Sequence, residues 1–590
     1  MKQLMSGNVA IARGAYEAGV TVGVGYPGTP STEILENFIK YPGIHAQWSP
    51  NEKVALEVGA GASIGGARAI VTMKHVGVNV AADPLFTLAY TGVNGGLILL
   101  SADDPGMHSS QNEQDNRYYA LAAKIPCLEP ADSQEAKDMV AQALEISERF
   151  DTPVMLRTTT RVSHSQSMVE IKDRQPVELK PYNKNPQKHV MSPGNAKVRR
   201  VQLEQRLAQL KEYSETCGLN FISWGDKQVG VITSGISYQY VQEVLPNASL
   251  LKLGFTNPLP EKMIRHFAAQ VDKLYVVEEL DPFIEMQVKA MGLDVIGKEI
   301  IANIGELSAY DVAQAFKKQG VSVAPQYVQS ANPLIDEQAP QAPGRPPVLC
   351  AGCPHRASFH VLRKLKLTVT GDIGCYTLGS APPLSAIDTC LCMGASVGMS
   401  YGMELANPEF KGKTVAVIGD STFLHSGVTG LMDVVYNGGS TTLIILDNRI
   451  TAMTGHQQNP ATGKTLMGQP APEVDIEALV KALGVKRVQV VDPINIGVFE
   501  KIIKEEIAAA EPSVIVARRP CALLNKESQQ PMTVIKDQCI GCKMCMQIGC
   551  PALSFNDKKA TIDGIQCNGC GLCSTICKQQ AIVKGGQNNA

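Results

Sequence analysis

The chain has 590 residues, too many for one hydrophobic core, so several domains are expected. With 44% hydrophobic and 19% charged residues it is globular rather than disordered, and a net charge of −2 with 5% aromatics argues against nucleic acid or an anionic membrane as partner. No apolar run reaches the ~18 residues of a membrane span and residues 1–7 have no apolar signal region, so the expected place is the cytoplasm.

Residues 1–165 alternate helical and strand patterns, as an α/β fold requires. Residues 7–19 read as a helix of small residues and 21–26 as a buried strand. The turn Pro27-Gly28-Thr29-Pro30-Ser31 follows, with Ser31 or Thr32 placed to cap the next helix. Residues 51–68 read as another Gly/Ala-rich helix. Residues 95–100 read as a strand running into the polar loop 101–106, and such sheets place ligands in polar loops at strand ends. Residues 166–220 are charged and carry prolines, which reads as a linker ending in a surface helix. A second α/β unit spans 221–325, with a strand and turn at 229–235 and a strand at 274–279 that ends in carboxylates. Prolines mark a second linker over 326–347. A third α/β unit covers 348–525, and 531–590 is short and dense in cysteine.

Eight of the sixteen cysteines fall between Cys539 and Cys577. In a cytosolic chain this points to metal or redox chemistry rather than disulfides. Cys539, Cys542 and Cys545 stand two residues apart and are followed by Cys550-Pro551. Cys567, Cys570 and Cys573 repeat the spacing and are followed by Cys577. Such a loop wraps three corners of an iron–sulfur cubane, and in the two-cluster ferredoxin pattern the fourth cysteine serves the other cluster. One [4Fe-4S] cluster is therefore assigned to Cys539, Cys542, Cys545 and Cys577, the other to Cys567, Cys570, Cys573 and Cys550. Two structural zincs are the weaker alternative. The pattern departs from the usual one in having four residues between Cys545 and Cys550, and Lys578 in place of proline.

Gly419-Asp420-Ser421 follows an apolar strand, and 28 residues separate Asp420 from Asn448 in Asp447-Asn448-Arg449-Ile450. That is about one βαβ crossover, which puts two oxygen ligands at adjacent strand ends. The pair resembles the signature of thiamine diphosphate enzymes, Gly-Asp-Gly and a later Asn-Asn, with Ser421 and Asp447 as departures. The resemblance implies Mg²⁺ on Asp420, Asn448 and the Ile450 carbonyl, and thiamine diphosphate against Gly419, Ser421, Gly374 and Cys375. It also requires a glutamate for the cofactor's aminopyrimidine ring, usually from a second copy of the chain. Asn51-Glu52-Lys53-Val54-Ala55 lies at a strand-to-helix junction and offers Glu52, with Glu57 one turn on as the reserve.

Together these features resemble the 2-oxoacid:ferredoxin oxidoreductases along essentially the whole chain. Gly25-Tyr26-Pro27-Gly28-Thr29-Pro30-Ser31, residues 102–113, Gly371-Asp372-Ile373-Gly374-Cys375-Tyr376 and residues 451–457 look like the large subunits of its arylpyruvate branch. The resemblance implies an α/β multidomain chain: a Pyr-type domain over 1–165, a transketolase-C-like domain over 221–325, a diphosphate-binding (PP) domain over 348–525 and a two-cluster ferredoxin-like module over 531–590. It implies CoA-dependent oxidative decarboxylation of an arylpyruvate such as indolepyruvate to aryl-acetyl-CoA and CO₂, with ferredoxin reduced. Thr29 would then lie near the substrate carboxylate. A small gamma-type (beta) subunit is implied as partner, with a dimer of this chain inside a heterotetramer. Relatives such as pyruvate:ferredoxin oxidoreductase suggest a third [4Fe-4S] cluster, here on Cys350, Cys353, Cys375 and Cys521. Cys390 and Cys392 read as core, and His75, His108, His355, His425 and His456 lie in motif loops. The rival readings are a pyruvate or branched-chain 2-oxoacid as substrate, and an electron-relay subunit without thiamine chemistry.

Overall fold

Strands buried on both faces set the architecture. All residues of Leu97–Asp103, Val154–Thr159, Thr414–Gly419 and Thr442–Asp447 are buried, which is the signature of parallel sheets covered by helices on each side. The computed structural model describes residues 1–328, 344–524 and 530–585. Two compact units divide the chain, Met1–Gln341 and Ala342–Ala590. The boundary falls in the proline-bearing stretch 326–347, most of which (329–343) lies outside the described residues.

In the first unit a seven-stranded sheet runs in the order Phe255–Asn257, Cys127–Leu128, Val154–Thr159, Leu97–Asp103, Ala69–Lys74, Val22–Gly25, His45–Trp48. All neighbours are parallel except the first pair. The helix Gly7–Glu17 can be so rich in small residues because it lies close to the helix Ser133–Phe150. A Cβ on Gly14 would come within 2.4 Å of the Lys137 carbonyl oxygen. A second sheet pairs Lys273–Val277, Asp226–Ser234 and Ala248–Leu253 in parallel, with Phe221–Ser223 antiparallel at its edge.

The second unit is a six-stranded, wholly parallel sheet in the order Thr389–Cys390, Thr368–Gly371, Thr414–Gly419, Thr442–Asp447, Ser513–Arg518, Arg487–Val491. Two antiparallel strand pairs follow, Met532–Val534 with Ile582–Lys584 and the hairpin Leu553–Asn556 with Lys559–Ile562. The core of this small region is built around its own cysteines: Cys545 and Cys573 are buried with Ile548, Leu572, Ile576 and Ile582. Among the described residues, no helix is long and apolar enough to cross a membrane.

Several expectations need correction. Residues 166–220 are not a bare linker. Gln166–Glu170 pairs antiparallel with Lys2–Ser6, and the helix Pro193–Ser214 buries Arg199, Leu203, Arg206 and Leu210 on the first unit. The strand expected to end at residue 100 continues to Asp103, because an ion pair with Arg157 on the neighbouring strand lets that carboxylate enter the sheet. Ser31 holds the N-cap position without capping. Its hydroxyl donates back to the Gly28 carbonyl (2.8 Å), while the Thr32 hydroxyl accepts from the Gly28 N–H (2.9 Å), so both tighten the turn instead. Cys390 and Cys392 are exposed, not core.

Candidate active site

Each unit gathers polar side chains at the carboxyl ends of its parallel strands, where an α/β sheet binds ligands. In the first unit, Asn51 caps the helix Glu52–Ile64 by accepting from the Val54 N–H, at 2.9 Å. Glu52 is then the first helical residue and is buried, whereas Glu57 is exposed and salt-bridged to Lys53. Glu52 packs on Gly77 so closely that a Cβ there would lie 2.7 Å from Glu52 Cγ; any larger residue would push the carboxylate out of place. The Thr29 loop lies beside the same strand ends. Ser109 Oγ donates to the Thr29 carbonyl at 3.4 Å, and Gly28 faces the Lys74 side chain. His75 is fully buried and meets Asn112 Oδ1 at 3.0 Å.

Lys74 was not legible as a site residue. Its Nζ donates to the Ser109 carbonyl at 2.8 Å. Burial pushes its ammonium down to about 8, against the attraction of Asp104 and Glu52.

In the second unit, Asp420 and Asn448 stand just past the paired strands Thr414–Gly419 and Thr442–Asp447, so the sheet register brings them side by side. Both are buried. Asp420 accepts from Asn459 Nδ2 at 3.4 Å. Burial, with Asp447 close by, pushes its carboxyl up to about 7. Among the described residues it has no lysine or arginine partner. Asn448 Oδ1 accepts from the Ile450 N–H at 3.2 Å, which folds the chain so that Asn448 and Ile450 belong to one turn. Thr451 Oγ1 donates to Ser421 Oγ at 2.8 Å, tying that turn to the Asp420 loop. On the other side Asn448 Nδ2 lies 3.5 Å from His355 Nε2, and burial pushes His355 down to about 4, which leaves it a neutral acceptor at neutral pH.

The two glycines expected at the cofactor have a packing reason. A Cβ on Gly374 or Gly419 would come within 2.3 or 2.7 Å of the buried Tyr376 ring. Asp372 anchors the same loop by accepting from the N–H groups of Ile373, Gly394 and Ser396. Asn459, His355 and Asp372 thus support the site. Asn459 carries no spacing signal, since it arrives from a loop 39 residues after Asp420.

None of the sixteen cysteines is in a disulfide. Twelve of them fall into three neighbourhoods. Burial raises the Cys545 thiol, and Cys577, Cys539 and Cys542 act on it in the same sense. Burial pushes Cys573 up to about 12, with Cys570, Cys567 and Cys550 adding to the shift. Burial pushes Cys353 up to about 12 and Cys375 up to about 11; Cys350 acts on both, and Cys521 acts on Cys375. The longer Cys545-to-Cys550 interval is taken up by a 3₁₀ turn, Met544–Ile548, that ends at Gly549 with φ of 61°. Among the described residues, no three His, Cys, Asp or Glu side chains converge tightly enough for a single metal ion.

Comparison with known proteins places these features in context. The family model described as the C-terminal TPP binding domain of thiamine pyrophosphate enzymes matches residues 372–517. The thiamine diphosphate-binding domain model of pyruvate flavodoxin/ferredoxin oxidoreductases matches residues 13–216. Indolepyruvate oxidoreductase subunit IorA of Archaeoglobus fulgidus is 41% identical over 622 aligned positions, spanning 100% of this chain and 98% of its own. The protein of the same name from Pyrococcus horikoshii is 40% identical, spanning 99% and 97%. Among solved structures, a 2-oxoglutarate:ferredoxin oxidoreductase from Magnetococcus marinus aligns with a TM-score of 0.47 and 15% identity over 54% of this chain and 65% of that one.

Proposed function

This chain belongs to the family of indolepyruvate oxidoreductase IorA subunits, and from that premise we propose how its residues carry the reaction. It is a thiamine diphosphate-dependent 2-oxoacid:ferredoxin oxidoreductase acting on indolepyruvate; the observation that carries this is identity near 40% along the entire chain, together with the two cofactor-domain matches. Thiamine diphosphate, when bound, supplies the nucleophilic carbon and the electron sink for loss of CO₂.

The second unit fits the diphosphate and its cation. Asp420 is a buried carboxylate without a cationic partner among the described residues, in a set of hard oxygen donors, which suits Mg²⁺. Asp420, Asn448 and the Ile450 carbonyl would hold the ion. Gly419 and Ser421 would face the diphosphate, and Gly374 with Cys375 would close the cradle. Neutral His355 holds the Asn448 amide in place without bringing a charge that would repel the metal.

In the first unit Glu52 would hold and return the proton of the aminopyrimidine ring, fixed in place by the Asn51 cap and by Gly77. Thr29 would bind the substrate carboxylate, with the Lys74 ammonium nearby to offset its charge. The three thiol neighbourhoods would hold [4Fe-4S] clusters: Cys539, Cys542, Cys545 and Cys577; Cys567, Cys570, Cys573 and Cys550; and Cys350, Cys353, Cys375 and Cys521. Each set must lose its protons to bind, so loading follows pH and releases acid. CoA accepts the aryl-acetyl group, ferredoxin takes the electrons, and a small beta-type subunit completes an assembly in which two copies of this chain share cofactor sites.

The experiment is CoA-dependent viologen reduction by anaerobically prepared protein with its partner subunit, across a panel of 2-oxoacids. Use of indolepyruvate and phenylpyruvate but not pyruvate supports the reading. Preference for pyruvate or a branched-chain oxoacid overturns the substrate. No reduction by protein that carries iron and thiamine diphosphate would leave an electron relay. Iron per chain reads the cluster count, about 8 for two four-iron clusters and about 12 for three.

A further inference from the structure

Arg356, in the helix His355–Leu365, is not part of any motif used above. It is only 2% exposed, an unusual place for a guanidinium. Three of its hydrogen bonds go to backbone carbonyls on two different loops: Nε to Cys350 (3.0 Å), and Nη1 to Ile548 (3.0 Å) and Gly549 (2.5 Å). The Nη2 group is buried and has no hydrogen-bond partner among the described residues. Burial pushes the guanidinium down from its usual value, and the neighbouring thiols of Cys550, Cys353, Cys350 and Cys570 act against that.

The surroundings are built around this residue. The Cys350–Cys353 turn touches the Cys567–Cys570 loop so closely that a Cβ on Gly352 would lie 2.0 Å from Asn568 Nδ2, and Asn568 donates to the Ala351 carbonyl at 3.4 Å. Arg356 and the four cysteines 550, 567, 570 and 573 line one cavity. A buried N–H with no partner is costly, more so on a charged group, so its retention calls for an acceptor in that cavity.

We propose that Arg356 is a positioning residue that locks the Cys350–Cys353 turn to the Cys550 loop and directs its Nη2 N–H and charge at the group held by Cys550, Cys567, Cys570 and Cys573. The inference rests on the cluster reading above. If Cys350, Cys353, Cys375 and Cys521 hold a cluster, its one-electron oxidation would add one negative charge to the group held by Cys550, Cys567, Cys570 and Cys573. The electron originates in substrate oxidation. A fixed cation beside the acceptor stabilises the reduced form, since hydrogen bonds to sulfur and local charge set such potentials. Electrons are thereby drawn from the site side toward the tail.

The test uses the full chain, anaerobically loaded, as wild type, R356M and R356K, with iron content and EPR-monitored redox titration of each cluster. With iron retained in R356M, one cluster should become harder to reduce by about tenfold, ~59 mV for one electron, and R356K should restore it to within about threefold. Unchanged potentials in iron-replete R356M overturn the proposal while leaving the cluster reading intact. Wild-type protein that binds no cluster on the tail cysteines overturns both. If R356M fails to load, pulsed EPR on protein labelled with ¹⁵N-arginine decides. A ¹⁵N coupling present in wild type and lost in R356K supports the contact; one absent from wild type, or unchanged in R356K, overturns it.

Discussion

The two units bury charge at the same place in the same kind of sheet but balance it in opposite ways. In the first, Arg117 and Arg157 are matched by Asp103, Asp115, Glu129 and Glu278, each of these carboxylates lying within 4 Å of a guanidinium. Arg117 alone pairs with Asp115 at 2.5 Å and Glu278 at 2.7 Å, joining the two sheets of that unit. In the second, Asp420 has no cationic partner and Arg356 Nη2 has neither a hydrogen bond nor a carboxylate beside it among the described residues, whereas the Arg157 Nη2 that also lacks a hydrogen bond lies 3.7 Å from Asp115. A charge network closed on itself serves the fold. One left open at a strand end is set up for something that arrives from outside.

That contrast can be tested by breaking each side. Glu52→Gln removes an acid–base group while preserving shape, so activity with indolepyruvate should fall by about 10²–10⁴-fold. Thermal unfolding should be nearly unchanged, since Gln keeps the shape that packs on Gly77. Arg117→Met should do the reverse and destabilise the first unit by about 3–5 kcal/mol, because two carboxylates lose their partner inside the protein. Denaturant melts would show it, and a loss below 1 kcal/mol would mean the network is not closed as described. Asp420→Asn lies between. It should weaken Mg²⁺-dependent cofactor binding by at least about 10-fold, read by thiamine diphosphate retention on a desalting column. The apoprotein should be no less stable, because an amide is easier to bury than an unpaired carboxylate.

A further test sharpens the comparison by pH. Burial would raise Glu148, but Arg68 and Lys180 outweigh it and hold it down to about 2. A depressed carboxylate stabilises the fold above its unfolded value and ceases to as pH falls through its folded value. The first unit should therefore lose up to about 3 kcal/mol between pH ~5 and ~2, a loss that Glu148→Gln would flatten.

Strand-end motifs were the most legible part of the sequence, because they follow from chain periodicity. Asp420 and Asn448 sit one crossover apart, and the sheet register then puts them together. Glu52 could be chosen because it lies at a strand-to-helix junction, which the structure fixes with the Asn51 cap. Long-range pairing was not legible. Nothing local marks Gln166–Glu170 as the partner of Lys2–Ser6, and nothing local tells Asp103 that Arg157 waits on the next strand. Lys74 and Arg356 were missed for the same reason. Their meaning comes from burial, and a lysine or arginine in isolation reads as surface. The exposed Cys390 and Cys392 are the converse error, since a cysteine in isolation reads as core.

The antiparallel edge strand Phe255–Asn257 has a consequence for biosynthesis. It pairs with Cys127–Leu128, and Asn257 Nδ2 donates to the Ile125 carbonyl, 132 residues earlier in the chain. At ~5–20 residues per second, the ribosome needs about 7–26 s between making one edge and making the other. Through that interval the nascent sheet offers an open row of backbone donors and acceptors, a surface on which neighbouring chains of a polysome can pair. The second sheet needs the later strand Lys273–Val277, so it closes only after the first can.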